Sequence, residues 1–179
     1  MRRTVLNRTL VVAGFLLATA LDHDVQADPP RPLQLGFLFE HHFDADLVTL
    51  QRHVAWLSEY DLLVALHLER VSTRSLDEII AWRRDGHSWD AITRRCGLGS
   101  EIYRLALPAA LALRGPYARP YATWRQDPRA DLRLTDEEVR ELVLLRTLRD
   151  HCRLTAEDVV RRRTAGESPH SIATAAGTN

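Results

Sequence analysis

The feature that most constrains this chain is an internal repeat. Sliding the sequence against itself by 80 positions aligns residues 62–97 with residues 142–177 without a gap. Identical pairs are Leu62/Leu142, Leu68/Leu148, Arg83/Arg163, Gly86/Gly166, Ser88/Ser168, Ile92/Ile172 and Gly97/Gly177. Ser75/Thr155, Asp77/Glu157, Glu78/Asp158, Ile79/Val159 and Ile80/Val160 are close substitutions. Chance gives only about two or three identities over a stretch of this length at average residue usage. A chain that spells one unit twice is expected to fold both copies by the same local rules.

Each copy reads as three helices. The first begins after Ser58 or Thr135, whose hydroxyl can accept an orphan backbone N–H, and Asp61 and Glu138 follow three residues on. The second begins after Ser75, with Glu78 beyond it, or after Thr155, with Asp158. Gly86 and Gly166 stand where a helix must end in a left-handed residue. The third begins after Ser88 or Ser168, and Pro169 suits a first turn that needs no donor. Ile79, Ile80 and Arg83 share a face, as do Val159, Val160 and Arg163, and Ile92 and Ile172 point inward. No stretch alternates with strand period long enough to compete. The expectation is an all-α fold of two related three-helix units.

The rest of the chain is arranged around these copies. Residues 37–57 carry helical spacing, with Phe39, Phe43, Leu47, Leu50, Val54 and Leu57 near one face. Residues 101–113 read as an apolar helix interrupted by Pro108. Pro116, Pro120 and Pro128 mark a strap between the copies, expected to run extended over the surface. The segments are therefore 1–27, 28–57 with one helix, 58–114 as the first unit, 115–134 as the strap and 135–179 as the second unit.

The N-terminus carries an address. Arg2, Arg3 and Arg8 precede an uncharged apolar run over residues 9–21, and Val25-Gln26-Ala27 then offers small residues at the two positions a signal peptidase reads. Ala18-Thr19-Ala20 is an alternative exit that truncates the apolar core. The run of 13 residues falls short of the roughly 20 needed to cross a bilayer. A secretory signal peptide is the reading, which places the mature chain in the periplasm or outside the cell with no membrane span. Cleavage after Ala27 leaves 152 of the 179 residues, with 21 Arg against 22 acids.

Composition narrows the function. All 24 basic residues are Arg, and they balance 24 acids. A neutral chain carries no basic footprint for nucleic acid. Two cysteines exclude a disulfide-rich scaffold and a four-cysteine metal site.

Residues 79–92 nevertheless resemble the core of trihelical helix-turn-helix proteins, which implies DNA binding as an alternative. Against it, the helix expected over residues 101–113 offers mainly Leu and Ala to base edges. The whole combination is Ser75-x-x-Glu78-Ile79, Arg83-x-x-Gly86-x-Ser88-Trp89-x-x-Ile92, Gly97 and a Gly115-Pro116-Tyr117 strap reaching Tyr121 and Trp124. With the export signal and a weaker second unit, it is similar to a group of uncharacterised exported bacterial proteins. That resemblance implies location and architecture, and no catalytic residue. Ala118, Pro120, Ala122 and Thr123 depart from the Gly- and Tyr-rich form of that group's strap.

Candidate chemistry is sparse. Read as one helix, the Glu40-His41-His42-Phe43-Asp44-Ala45-Asp46 run places His42 and Asp46 on one face with His53, giving at most two neighbouring ligands where zinc wants three or four. A metal-binding role at His41/His42 is the third reading, beside a plain solvated face. There is no nucleophile elbow, Walker loop, dinucleotide fingerprint or C-x-x-C, so neither an enzyme nor a cofactor is expected. His67, among Leu and Val, reads as a hydrogen-bonded boundary histidine.

Cys96 and Cys152 could pair in an oxidising compartment, a bridge contributing about 4 kcal/mol in the chain-entropy model, or stay as separate buried thiols. Trp82, Trp89, Tyr117, Tyr121 and Trp124 are the partner-surface candidates, unless they bury themselves to pin the strap. The reading overall is an exported, non-enzymatic helical protein that binds a protein or envelope partner.

Overall fold

A computed structural model describes residues 33–111 and 113–177. The signal-peptide reading, with both exit positions, lies outside the described residues. Within them the chain is all-helical and has no strand. Its helices are α1 (Gly36–Phe43), α2 (Leu47–Val54), α3 (Glu59–Val71), α4 (Leu76–Arg84), α5 (Trp89–Arg95), α6 (Ala118–Gln126), α7 (Asp136–Cys152), α8 (Ala156–Thr164) and α9 (Pro169–Gly177). Short 3₁₀ turns cover Ser100–Tyr103 and Gly115–Tyr117.

Two helices form the centre. In α3, residues 61–68 are buried without interruption, and α7 buries Val139, Leu148 and the whole of residues 142–145. Side chains buried on every face mark helices sheathed by others. α3 and α7 pack on each other; α1, α5, α8, α9 and both 3₁₀ turns pack on α7, and α2 and α4 on α3. At 17 residues, α7 is about 25 Å long, enough to be the axis on which the shell assembles.

Local chemistry sets the helix ends. Backbone N–H groups three residues on bond to the hydroxyls of Ser58, Ser75, Ser88, Thr135, Thr155 and Ser168. The reciprocal arrangement forms fully at Ser75/Glu78 and Thr135/Glu138. At Ser58 and Thr155 the hydroxyl instead donates to the acid, Asp61 or Asp158. Gly86 and Gly166 take φ of +86° and +88°, a region costly for any residue with a Cβ. α4 and α8 match at both ends under the 80-residue offset, and α5 and α9 match at their starts.

Three expectations need correction. Residues 37–57 are two helices rather than one: Asp44 turns left-handed at φ 55°, and the Asp46 carboxylate caps α2 by accepting from the Val48 and Thr49 N–H groups, both at 3.1 Å. The helix expected over residues 101–113 stops as a single 3₁₀ turn. Its following carbonyls bond to arginines instead: Ile102 and Arg104 to Arg146, Pro108 and Leu111 to Arg125. The strap, expected to be extended, contains α6, because Pro120 falls in a first turn whose N–H groups have no intrahelical partner anyway.

One arrangement recurs in both halves. Arg83 reaches back to Asp61 (3.5 Å) and also donates to the His87 carbonyl (2.9 Å) in the turn after α4. Arg163 reaches back to Glu141 (2.6 Å) and donates to the Glu167 carbonyl (2.7 Å) in the turn after α8. Each guanidinium thus fastens the turn after the second helix to the first helix. Asp61 is further bound by Trp89 Nε1 (2.6 Å), Arg140 Nε (2.8 Å) and Ser58 Oγ (2.9 Å). Burial pushes its carboxyl up, but the hydrogen bonds from Arg140, Trp89 and Ser58 outweigh that and hold it below the usual range.

Removing one member of a buried charged network strands the rest. Asp61→Ala is therefore expected to cost about 3–5 kcal/mol in urea denaturation. Arg74→Ala, which breaks a half-exposed pair with Glu78, is expected to cost under about 0.5 kcal/mol.

Candidate functional site

The Asp61–Arg83 clamp forms the floor of an open pocket of about 570 Å³ between the end of α2 and the end of α4. Trp56, Leu57, Arg84 and Gly86 complete its wall. Trp56 is 69% exposed, and the Arg84 guanidinium lies over its ring, 5.1 Å from the centroid. Val48 and Val71 are the other large hydrophobic residues left exposed among the described residues, and neither lines this pocket. The floor itself is chemically closed. Asp61 Oδ1 accepts from Trp89, Arg140 and Arg83, and Oδ2 from Ser58 and Arg140.

The second half holds a pocket of about 400 Å³ over the Glu141–Arg163 clamp. There the Tyr117 hydroxyl donates to Glu141 (2.8 Å), and Arg114 and Glu137 stand at the wall. Under the offset, Thr164 stands in the place of Arg84, and counted back from the matching caps Ser58 and Thr135, Arg133 and Leu134 stand in the places of Trp56 and Leu57. The two clamps are alike; their rims are not.

The aromatic residues singled out from the sequence are mostly interior. Trp89, Tyr117, Tyr121 and Trp124 are buried, so they join the core rather than a free surface. Tyr121 accepts from the Leu105 N–H, Trp124 Nε1 donates to the Ala130 carbonyl, and the two rings meet edge-on at 5.3 Å. These contacts pin the strap. Trp82 is half-buried, with Arg74 and Arg95 over its ring. Trp56 was missed because it falls inside the helix expected over residues 37–57 but off its apolar face. The signal that could have found it is its absence from the apolar stripe of residues 37–57.

Comparison with family models, curated proteins and solved structures finds no match.

The metal reading of the histidine run meets different geometry. Asp46 is engaged as the α2 cap. His42 Nε2 is 3.1 Å from Arg70 Nη1, and its carbonyl accepts from the same guanidinium. Burial first, and Arg70 next, lower the His42 pKa. His41 stacks on His151, and Phe37 contacts both His151 and His170. Among the described residues no group of three or more His, Cys, Asp or Glu is placed to hold a metal ion. Cys96 and Cys152 are free, half-buried thiols whose pKa values burial raises.

His67 is not the hydrogen-bonded boundary residue expected. It is 5% exposed, and its Nε2 has no partner in the protein. Burial, with Arg146 and Arg70 adding to it, pushes its pKa from 6.5 down to about 4. Between those values the unfolded chain holds a proton that the folded chain refuses, so stability falls as pH falls. The loss attributable to His67 approaches roughly 3 kcal/mol near pH 4. His67→Thr, which installs the residue of the matching position 147, is expected to flatten the slope of unfolding free energy against pH between 6.5 and 4, measured by denaturant titration.

Proposed function

We propose that this chain is an exported, non-enzymatic helical binding protein, made of two copies of one three-helix unit joined by an aromatic strap. The observation that carries the binding role is Trp56, open to solvent beneath Arg84 at the rim of the pocket over the Asp61–Arg83 clamp. The absence of a free carboxylate oxygen on Asp61 argues against general-base chemistry in that pocket. Export is supported by the arginine start, the short apolar run and the small-x-small exit at Ala27, and by the resemblance to exported bacterial proteins. No helix among the described residues is long and apolar enough to cross a membrane. Common descent of the two units is supported by the matching limits of α4 and α8 and by the paired clamps.

The helix-turn-helix alternative would have a helix over residues 101–113 read base edges, but α5 is followed there by a 3₁₀ turn and irregular chain whose carbonyls are held by Arg146 and Arg125. The metal alternative would need ligands that the cap on α2 and Arg70 already hold.

Fractionation of the native host tests the proposal. The expected result is a trimmed chain beginning at Asp28 in the exported fraction. A full-length chain retaining Met1 or Arg2 in the cytosol would overturn it and bring the regulator reading forward.

A further inference from the structure

The pocket over the first clamp has a defined charge character. Arg83 is bound to Asp136 (2.7 Å), to the His87 carbonyl and to Asp61. Asp61 has no oxygen left to accept a further donor. Among the described residues Arg84 has no carboxylate partner; its guanidinium lies over the Trp56 ring, with the His53 imidazole within electrostatic reach. An entering cation would meet two guanidinium groups and no open acceptor. An entering anion would meet the free fork of Arg84, whose planar donors match a carboxylate. The exposed indole beside it offers a flat apolar face at low entropic cost.

The second half of the chain serves as an internal control. Its clamp forms with Thr164 in place of Arg84 and, counted back from the matching caps Ser58 and Thr135, Arg133 in place of Trp56. The cation and the indole are therefore not demanded by the clamp or by the turn it secures.

We infer that Trp56 and Arg84 form a binding site for a small anion carrying a flat apolar ring, an aromatic carboxylate being the simplest member. The inference rests on the binding role proposed above and names the ligand class of that same pocket. The carboxylate lies against Arg84, and the ring lies against Trp56 and Leu57.

Calorimetric titration of the full chain with benzoate tests this, with benzamide as the uncharged match and acetate as the anion without a ring. Benzoate is expected to bind, with acetate and benzamide each weaker by about tenfold, as loss of one charged contact or one stacked face predicts. Arg84→Thr and Trp56→Ala are each expected to weaken benzoate by about tenfold or more while the melting temperature stays unchanged, since both side chains are exposed. Benzamide binding as tightly as benzoate would overturn the anion class and leave the binding role standing. Unchanged affinity in both variants, or no benzoate binding at all, would overturn the site. The export result is measured independently, so its failure is separately visible.

Discussion

Arg83 and Arg163 each reach back 22 residues to an acid on the preceding central helix, and each also holds a carbonyl in the turn that follows its own helix. A planar fork with five donors can serve a carboxylate and a carbonyl together; an ammonium on a flexible stem fixes no such geometry. The turns after Gly86 and Gly166 adopt backbone that favours no ordinary residue, so they need an external tie. With the clamps in place, α4 and α8 lie against α3 and α7, and the third helices start at the right point to reach α7. Arginines hold backbone carbonyls elsewhere in the fold as well. Arg125 and Arg146 satisfy the carbonyls of the irregular segment after Tyr103, and Arg119 joins Glu138 to the Arg133 carbonyl.

α3 and α7 explain why the chain can dispense with a staple between its halves. Each buries its middle turns on every side, residues 62–66 of α3 and 142–145 of α7, so neither can be exposed without a large hydrophobic cost, and each is part of the other's cover. Arg140 of α7 adds a polar link by binding Asp61 of α3 through two hydrogen bonds, of 2.8 and 3.0 Å. The first half is thereby keyed to the second by charge as well as by packing.

Helix identity was legible where the signal is local. The hydroxyl caps, the two left-handed glycines and the inward Ile79, Ile92, Val159 and Ile172 all follow from residue type and spacing. What escaped was set by distant partners. Nothing near residues 101–113 announces that Arg125 and Arg146 will take its carbonyls, so an apolar run read as a helix became an irregular one. Asp44 and Asp46 broke a helix that apolar spacing alone would have continued. Asp61 read only as a cap partner. Extending the repeat by one residue pairs it with Glu141 and would have linked both acids to the identical arginines. For the pocket, the sequence supplied Arg84 and Trp56 but not their meeting, which depends on how α2 and α4 lie across α3.

The lysine-free composition has a consequence for the conditions the fold tolerates. Guanidinium groups keep their charge far into alkali, where ammonium groups would have lost it, and all 24 cations here are guanidinium. The buried phenols of Tyr103, Tyr117 and Tyr121 behave differently: burial pushes them above their usual range, so in alkali the unfolded chain ionises before the folded one and stability falls. In base the limit is therefore set by these phenols, whereas in acid it is set by the depressed imidazoles and clamped carboxylates. Neither limit comes from its cations, which stay charged across the whole interval between the two.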